Sequence, residues 1–327
     1  MRTRLGLAPA LLIVGLAAAL VLHMSQSRAG SVANPAPTRA VGGVAITVAD
    51  MDRAIAFYSS VLFFDKLSDV QRSGPADQGL GAAGARIRVV TMRLGAERIE
   101  LVESLATNAR AIPAHSRSDD RWFQHVAIVV NDIDQAYLWL RRHHVTQLSP
   151  EPQRLPDGNP NAEGIRVFAF EDPDGHALEI LQFPPGRGDA RWQRPSESVF
   201  LGIDHTGIVV ESTERSLAFY RDALGLQVVA ASQDPAPAPE RSTGAPGGRR
   251  RITTIRASEG PAIELVQYLG PGDGRRDPPN TPSNDRARWQ TLLVAADADA
   301  AAAKLGIRRG LTAVDPDGHE VQLRARK

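Results

Sequence analysis

The chain has 327 residues, with 38 Lys+Arg against 37 Asp+Glu and no cysteine. That length serves two ordinary domains, each with its own core, and a formal net charge of +1 argues against a general nucleic-acid footprint. Without cysteine, disulfides, Cys-ligated zinc, iron–sulfur clusters and thiol nucleophiles are excluded; the chemistry must come from His, carboxylate, amide and hydroxyl groups.

Met1-Arg-Thr-Arg4 is followed by an uncharged Leu/Ala-rich run from Leu5 to Leu22, then by small polar residues including Ser31-Val-Ala33. This order predicts a secretory signal peptide over residues 1–33, or a membrane anchor if the apolar run stays in the bilayer. The basic residues precede the run, so both readings place the rest of the chain outside the cytoplasm, periplasmic or secreted. The only membrane contact expected is through an uncleaved N-terminal helix. Residues 34–40, rich in Pro and Ala, read as a linker.

Four segments then repeat one pattern. Gly43–Val48, His125–Val130, His205–Val210 and Gln290–Ala295 are short apolar runs. Each is followed by a polar cap (Ala49-Asp-Met-Asp, Asn131-Asp-Ile-Asp, Glu211-Ser-Thr-Glu, Ala296-Asp-Ala-Asp) and an amphipathic stretch ending near Leu62, Leu140, Leu224 and Leu305. Each predicts a strand, a capping residue and a helix. The starts lie 82, 80 and 85 residues apart, too long for a solenoid repeat and suited to a small supersecondary module.

Each module closes alike, on Arg98–Val102, Ala177–Leu181, Ala262–Val266 and Glu320–Arg324. Two closings follow the same Asp-Pro-Asp-Gly-His turn, at 172–176 and 315–319, with Pro at the second turn position and Gly at the fourth. Room for two intervening strands, such as 85–92 and 251–255, gives β-α-β-β-β. The fourth module is short and has lost loop or strand length. Glu179 and Glu264 lie within apolar closing runs, and a buried carboxylate needs a partner or becomes protonated.

The four openings in register, Ala56-Phe-Tyr58, Ala218–Leu226 and the two Asp-Pro-Asp-Gly turns resemble the vicinal oxygen chelate superfamily of glyoxalases, extradiol dioxygenases and bleomycin resistance proteins. The resemblance covers about residues 41–325. It implies an α+β fold of four βαβββ modules forming two curled, cup-shaped sheets. The chain then divides into residues 41–184 (modules one and two), a linker at 185–199, and residues 200–325 (modules three and four).

The family draws metal ligands from the first residue of an opening strand and a Glu of a closing strand. Carried over, the four modules offer Gly43 and Glu100, His125 and Glu179, His205 and Glu264, and Gln290 and Gln322. If modules pair in sequence, neither cup is complete, and Glu100 joins His125 and Glu179. If modules two and three share a cup, it holds His125, Glu179, His205 and Glu264, and the other cup is a dead site. Connection lengths do not choose; ligand counting favours the second pairing, and the preference for neighbouring elements the first.

The resemblance implies a divalent metal, and a set without thiolates suits Fe, Mn, Ni or Zn. It implies a glyoxalase-like isomerase or lyase on a small substrate with adjacent oxygens, Glu179 or Glu264 shuttling a proton. Two alternatives stay open: an extradiol dioxygenase, which needs two His and one carboxylate, and a non-catalytic small-molecule binder. Blander roles are read for the remaining candidates. His143 and His144 sit at a helix end, His176 and His319 belong to turns, His115 lies in a polar loop, and Arg249–Arg251 form a strand entry after the loop at 234–248. Tyr58 and Tyr220 fall on apolar helical stripes.

Overall fold

In the computed structural model every opening segment is a strand and every capped segment a helix. The structure describes residues 37–73, 86–105, 110–155, 162–233, 249–270, 274–276, 285–307 and 311–325. The segment at 1–33 that reads as a signal peptide or anchor, and the loop at 234–248, lie outside the described residues. Among the described residues no helix is long and apolar enough to cross a membrane.

Module one comprises β1 (Thr38–Thr47), α1 (Met51–Ser60), β2 (Asp65–Ser73), β3 (Arg86–Leu94) and β4 (Glu97–Ser104). Module two has β5 (Gln124–Val130), α2 (Ile133–Arg142), two short strands β6 (Thr146–Gln147) and β7 (Gln153–Arg154), then β8 (Arg166–Glu171) and β9 (Ala177–Gln182). Module three has β10 (Phe200–Val209), α3 (Thr213–Leu217) running into a π-helical turn at Ala218–Ala223, β11 (Gln227–Gln233), β12 (Arg250–Arg256) and β13 (Ala262–Tyr268). Module four has β14 (Trp289–Ala295), α4 (Ala298–Lys304), β15 (Thr312–Val314) and β16 (Glu320–Ala325). Among the described residues it has one strand between helix and closing strand, in keeping with its short sequence spacing. One boundary differs: β1 begins at Thr38, inside the linker expected at 34–40, because Thr38 pairs with Ala295 and is buried.

The caps behave as their chemistry requires. The Asp50 side chain accepts from Arg53 N, Asp132 from Asp134 N and Gln135 N, Ser212 from Arg215 N, and Asp297 from Ala300 N. Each satisfies amide groups that the first helical turn leaves without an intrahelical partner.

Sheet pairing and core packing follow different divisions of the chain. One sheet has the order β15-β16-β14-β1-β4-β3-β2, joining modules four and one; the other runs β11-β12-β13-β10-β5-β9-β8-β6, joining modules three and two. The cores on the helical side follow mainly the tandem halves, with Phe200, Ile203 and Trp289 joining the first and Val41 the second. Ile46, Met51, Tyr58 and Leu101 of module one pack with Ile128, Ile133, Phe168 and Ile180 of module two. Ile208, Tyr220 and Leu265 of module three pack with Leu293, Ala301 and Leu323 of module four. The period-2 alternation of the strands allows both arrangements at once: one face meets the helices, the other lines the inside of a curled sheet.

The two Asp-Pro-Asp-Gly-His turns are buried fastenings. Asp172 accepts from Asp174 N (2.8 Å), His176 N (2.9 Å), His176 Nδ1 (2.8 Å) and Tyr58 OH (3.1 Å). Asp315 repeats the pattern with His319 N and Tyr220 OH. This assigns Tyr58, Tyr220, His176 and His319 to structure, as read from sequence. Burial alone would raise the Asp172 carboxyl, but the charge and hydrogen bonds of His176 bring it below its ordinary value. Burial likewise opposes charge on His176, and Asp172 pushes it up.

The signs give a pH window. A depressed carboxyl contributes stability above about pH 4 that is lost on acidification; a raised imidazole contributes below about pH 6.5 and loses it as pH rises. Asp172→Ala is therefore expected to destabilise the fold by about 3 kcal/mol. Urea midpoints should show the difference from the parent widest between about pH 4 and 6.5.

Candidate metal centre

The strand register brings the predicted ligands together. On the helix-free face of the sheet shared by modules two and three, two adjacent cross-strand rows form. One is Glu179–Ala127–His205–Ala262; the other is Ala177–His125–Gly207–Glu264–Thr254. Each His stands next to an Ala or Gly of the facing module, which leaves space over the strand for imidazole. At Gly207 that space is essential: a Cβ there would lie 2.0 Å from His125 Cε1. Gly207→Ala is expected to displace the ring, at about 1–3 kcal/mol. The measurement is the His125 Cε1 proton resonance together with the unfolding free energy.

The Nε2 atoms of His125 and His205 are 3.4 Å apart, and the Glu264 carboxylate lies 3.4 Å from His205 Nε2. One ligand atom from each of His125, His205 and Glu264 falls within 4.8 Å of the others. Glu179 occupies the register position related to that of Glu264 but stands outside this close trio. His205 Nδ1 donates to Asp204 Oδ2 at 3.0 Å, and Glu264 Oε1 receives Thr254 Oγ1 at 3.4 Å.

The two imidazoles are electrostatically unlike. Burial, then the charges of His205 and Arg250, hold His125 neutral, its pKa pushed down to about 3. Burial also acts against charge on His205, but Glu264, the hydrogen bond and charge of Asp204, and Glu179 push it up to about 9. The carboxylates thus favour positive charge at this point, beside a neutral imidazole. A divalent cation fits this donor set: imidazole nitrogen and carboxylate oxygen, with no thiolate, is the ligand chemistry of Fe, Mn, Ni or Zn.

The corresponding positions of the other sheet carry a different set. Glu100, Ala45, Gln290 and Glu320 form one of its rows, with Gly43, Leu292 and Gln322 beside it. Arg324 donates to both Glu100 oxygens at 2.6 and 2.7 Å, and its Nε to Gln322 Oε1 at 2.8 Å. Glu100, the secondary metal candidate, is therefore in the opposite sheet from His125 and neutralised by a guanidinium. Gln290 Nε2 donates to Glu320 at 2.7 Å. The dead cup implied by ligand counting is thus bridged internally by an arginine.

A cleft of about 660 Å³ is lined by His115, Trp122, Phe123, Glu171 and Arg286 among others, while His125, Glu179, His205 and Glu264 are not part of its lining. The Phe123 ring centroid is 6.3 Å from that of His125. Glu171 faces Ala177, which in turn neighbours His125. His115 carries only a loop signal in the sequence, and Asp204, Gly207 and Thr254 carry no motif that marks a site. Thr254 is recoverable from strand parity opposite Glu264; the other two depend on backbone detail.

Fold and site define the class of protein. The model of the Glyoxalase/Bleomycin resistance protein/Dioxygenase superfamily matches residues 40–180 and 202–323, and the chain belongs to that family. The two matched stretches coincide with the tandem halves, while the sheets join across them.

More particularly, the chain is 33% identical over 153 residues to a 2-epi-5-epi-valiolone epimerase from Actinomyces sp, a match covering 45% of this chain and 81% of the epimerase. Glyoxalase I from Zea mays superposes with a TM-score of 0.56 at 18% identity, over 88% of this chain and 92% of that one. A variant of the same maize enzyme gives 0.57 at 16% identity, over 88% and 92%. At these identities the maize structures speak for the fold alone.

Proposed function

We propose that this protein is an exported, divalent-metal-dependent isomerase that epimerises or isomerises a small substrate with adjacent oxygens. The carrying observation is the convergence of His125, His205 and Glu264 within 4.8 Å on the helix-free face of one sheet. The relative that is an epimerase supports isomerase chemistry, and the basic, apolar, small-residue order of residues 1–33 supports export.

When bound, the metal would supply Lewis-acid polarisation of a substrate oxygen, acidifying the neighbouring C–H. His125 Nε2, His205 Nε2 and a Glu264 oxygen would hold it. A Glu179 carboxylate oxygen takes the proton from carbon. Glu179 gives that proton up to solvent, and a solvent-derived proton is added to the opposite face of the same carbon for epimerisation, or is delivered from the exchanged Glu179 carboxyl to the adjacent carbon for isomerisation, so the reaction is redox-neutral.

The test combines metal content with proton exchange. The purified chain should hold one divalent metal. In D2O it should incorporate one deuterium per turnover next to the carbonyl of 2-epi-5-epi-valiolone, the ketone named by its relative. A chain that takes up no metal after reconstitution and exchanges no proton sinks the reading. The two-His, one-carboxylate trio also suits an extradiol dioxygenase, a reading that oxygen uptake with catechol would bring forward.

A further inference from the structure

Asp204 occupies a position that regular strand alternation would deny it. Adjacent residues of a strand point to opposite faces, yet Asp204 and His205 are hydrogen-bonded to each other at 3.0 Å. The reason is a β-bulge: Ile203 pairs with Ile128 and His205 with Ala127, leaving Asp204 as the extra residue. A bulge re-aims a side chain at the cost of one ladder position.

The carboxylate so aimed is held from two further sides. Trp192 Nε1 donates to Asp204 Oδ1 at 3.2 Å, and Arg256 approaches the same oxygen at 3.5 Å. Trp192 belongs to the 3-10 turn Ala190–Gln193 in the connection between the tandem halves. The Arg191 guanidinium stacks over its ring at 3.8 Å and is ion-paired to Glu97 of module one. Gly202 leaves room for both, since a Cβ there would meet Glu97 Oε2 at 2.5 Å and Trp192 at 2.8 Å.

Module one provides an internal control. Its opening strand carries the same irregularity, between Val41 and Gly43, but the residues at the bulge are Gly42-Gly43 where module three has Asp204-His205. The backbone device is present in both sheets. The Asp–His pair is present only in the sheet with the full ligand set.

We propose that Asp204, held by Trp192 and Arg256, is a positioning residue that fixes the His205 ring with Nδ1–H turned to carboxylate and Nε2 turned into the cup. The inference rests on the metal reading above and deepens it. A ligating imidazole whose second nitrogen donates to a carboxylate is fixed in orientation, and removing such a partner costs about 10–100-fold in metal affinity.

The test titrates Co(II) into the purified protein and into Asp204→Ala, Asp204→Asn and Trp192→Phe, following the visible absorption of bound cobalt. Asp204→Ala should bind about 10–100-fold more weakly. Asp204→Asn, which keeps an acceptor oxygen, should fall between it and the parent. Trp192→Phe keeps the packing and drops one donor, and should lose a few-fold, on the order of one hydrogen bond. In the Zn(II)-loaded, 15N-histidine protein, the His205 Nδ1 proton should be visible downfield in the parent and lost in Asp204→Ala, a change that a purely structural role does not produce. Thermal unfolding of the metal-free forms identifies any variant that fails to fold, leaving Trp192→Phe to decide. Cobalt affinity within twofold of the parent in folded Asp204→Ala overturns the inference while the metal reading stands. A parent that binds no cobalt removes both.

Discussion

Glu179→Gln is expected to retain the metal and lose about a thousandfold in kcat, while His205→Ala loses metal and activity together. The separation follows from the geometry. His125, His205 and Glu264 bring ligand atoms within 4.8 Å of one another, and Glu179 stands outside that trio on the same face. The amide at 179 has the shape of the carboxylate but cannot take a proton from carbon. His205 lies between Glu264 and His125 in the cluster, so its removal breaks the site at its centre. Elemental analysis and turnover measured on the same samples test both variants. Metal loss in Glu179→Gln would instead make Glu179 a fourth ligand and return the proton-transfer role to Glu264.

That prediction starts from residues visible in the sequence. A His at the start of an opening run and a Glu inside a closing run mark a face by parity alone, and the structure keeps that face: His125, Ala127 and Gly207 share it with Glu179 and Glu264. Strands, helices and caps were legible for the same local reasons. The pairing of modules was not, because it is set by contacts between segments far apart in sequence, and the connections have nearly equal lengths. Ligand counting reached the right pair of modules only by asking which arrangement completes a site.

Asp204 was illegible for a different reason. Period-2 reasoning sends it to the face opposite His205, and only the bulge reverses that. Gly207 looks like an ordinary strand glycine until the His125 ring is placed over it. Trp192, in the connection at 185–199, carried no signal for a role beside the cup. Residues that shape the surroundings of a ligand depend on backbone irregularity and long-range packing, and neither has a local pattern.

The sheet without the ligand set offers the sharpest stability test. Arg324 places a guanidinium against Glu100 in a two-point contact and also donates to Gln322. The Arg324 side chain is 31% exposed and that of Glu100 12%, so removing the arginine leaves a largely desolvated carboxylate. Arg324→Met is expected to destabilise by about 3 kcal/mol, because breaking one side of such a pair costs more than the pair contributes. Glu100→Gln with Arg324→Met should recover most of that loss, since it removes the uncompensated charge as well. Urea unfolding of the two single variants and the double variant forms a closed cycle that isolates the coupling. Additive losses would show that the guanidinium is merely packed against the cup. A large coupling would show that this sheet kept a need for positive charge at its centre and meets it with a side chain, where the opposite sheet presents imidazoles and carboxylates suited to a metal.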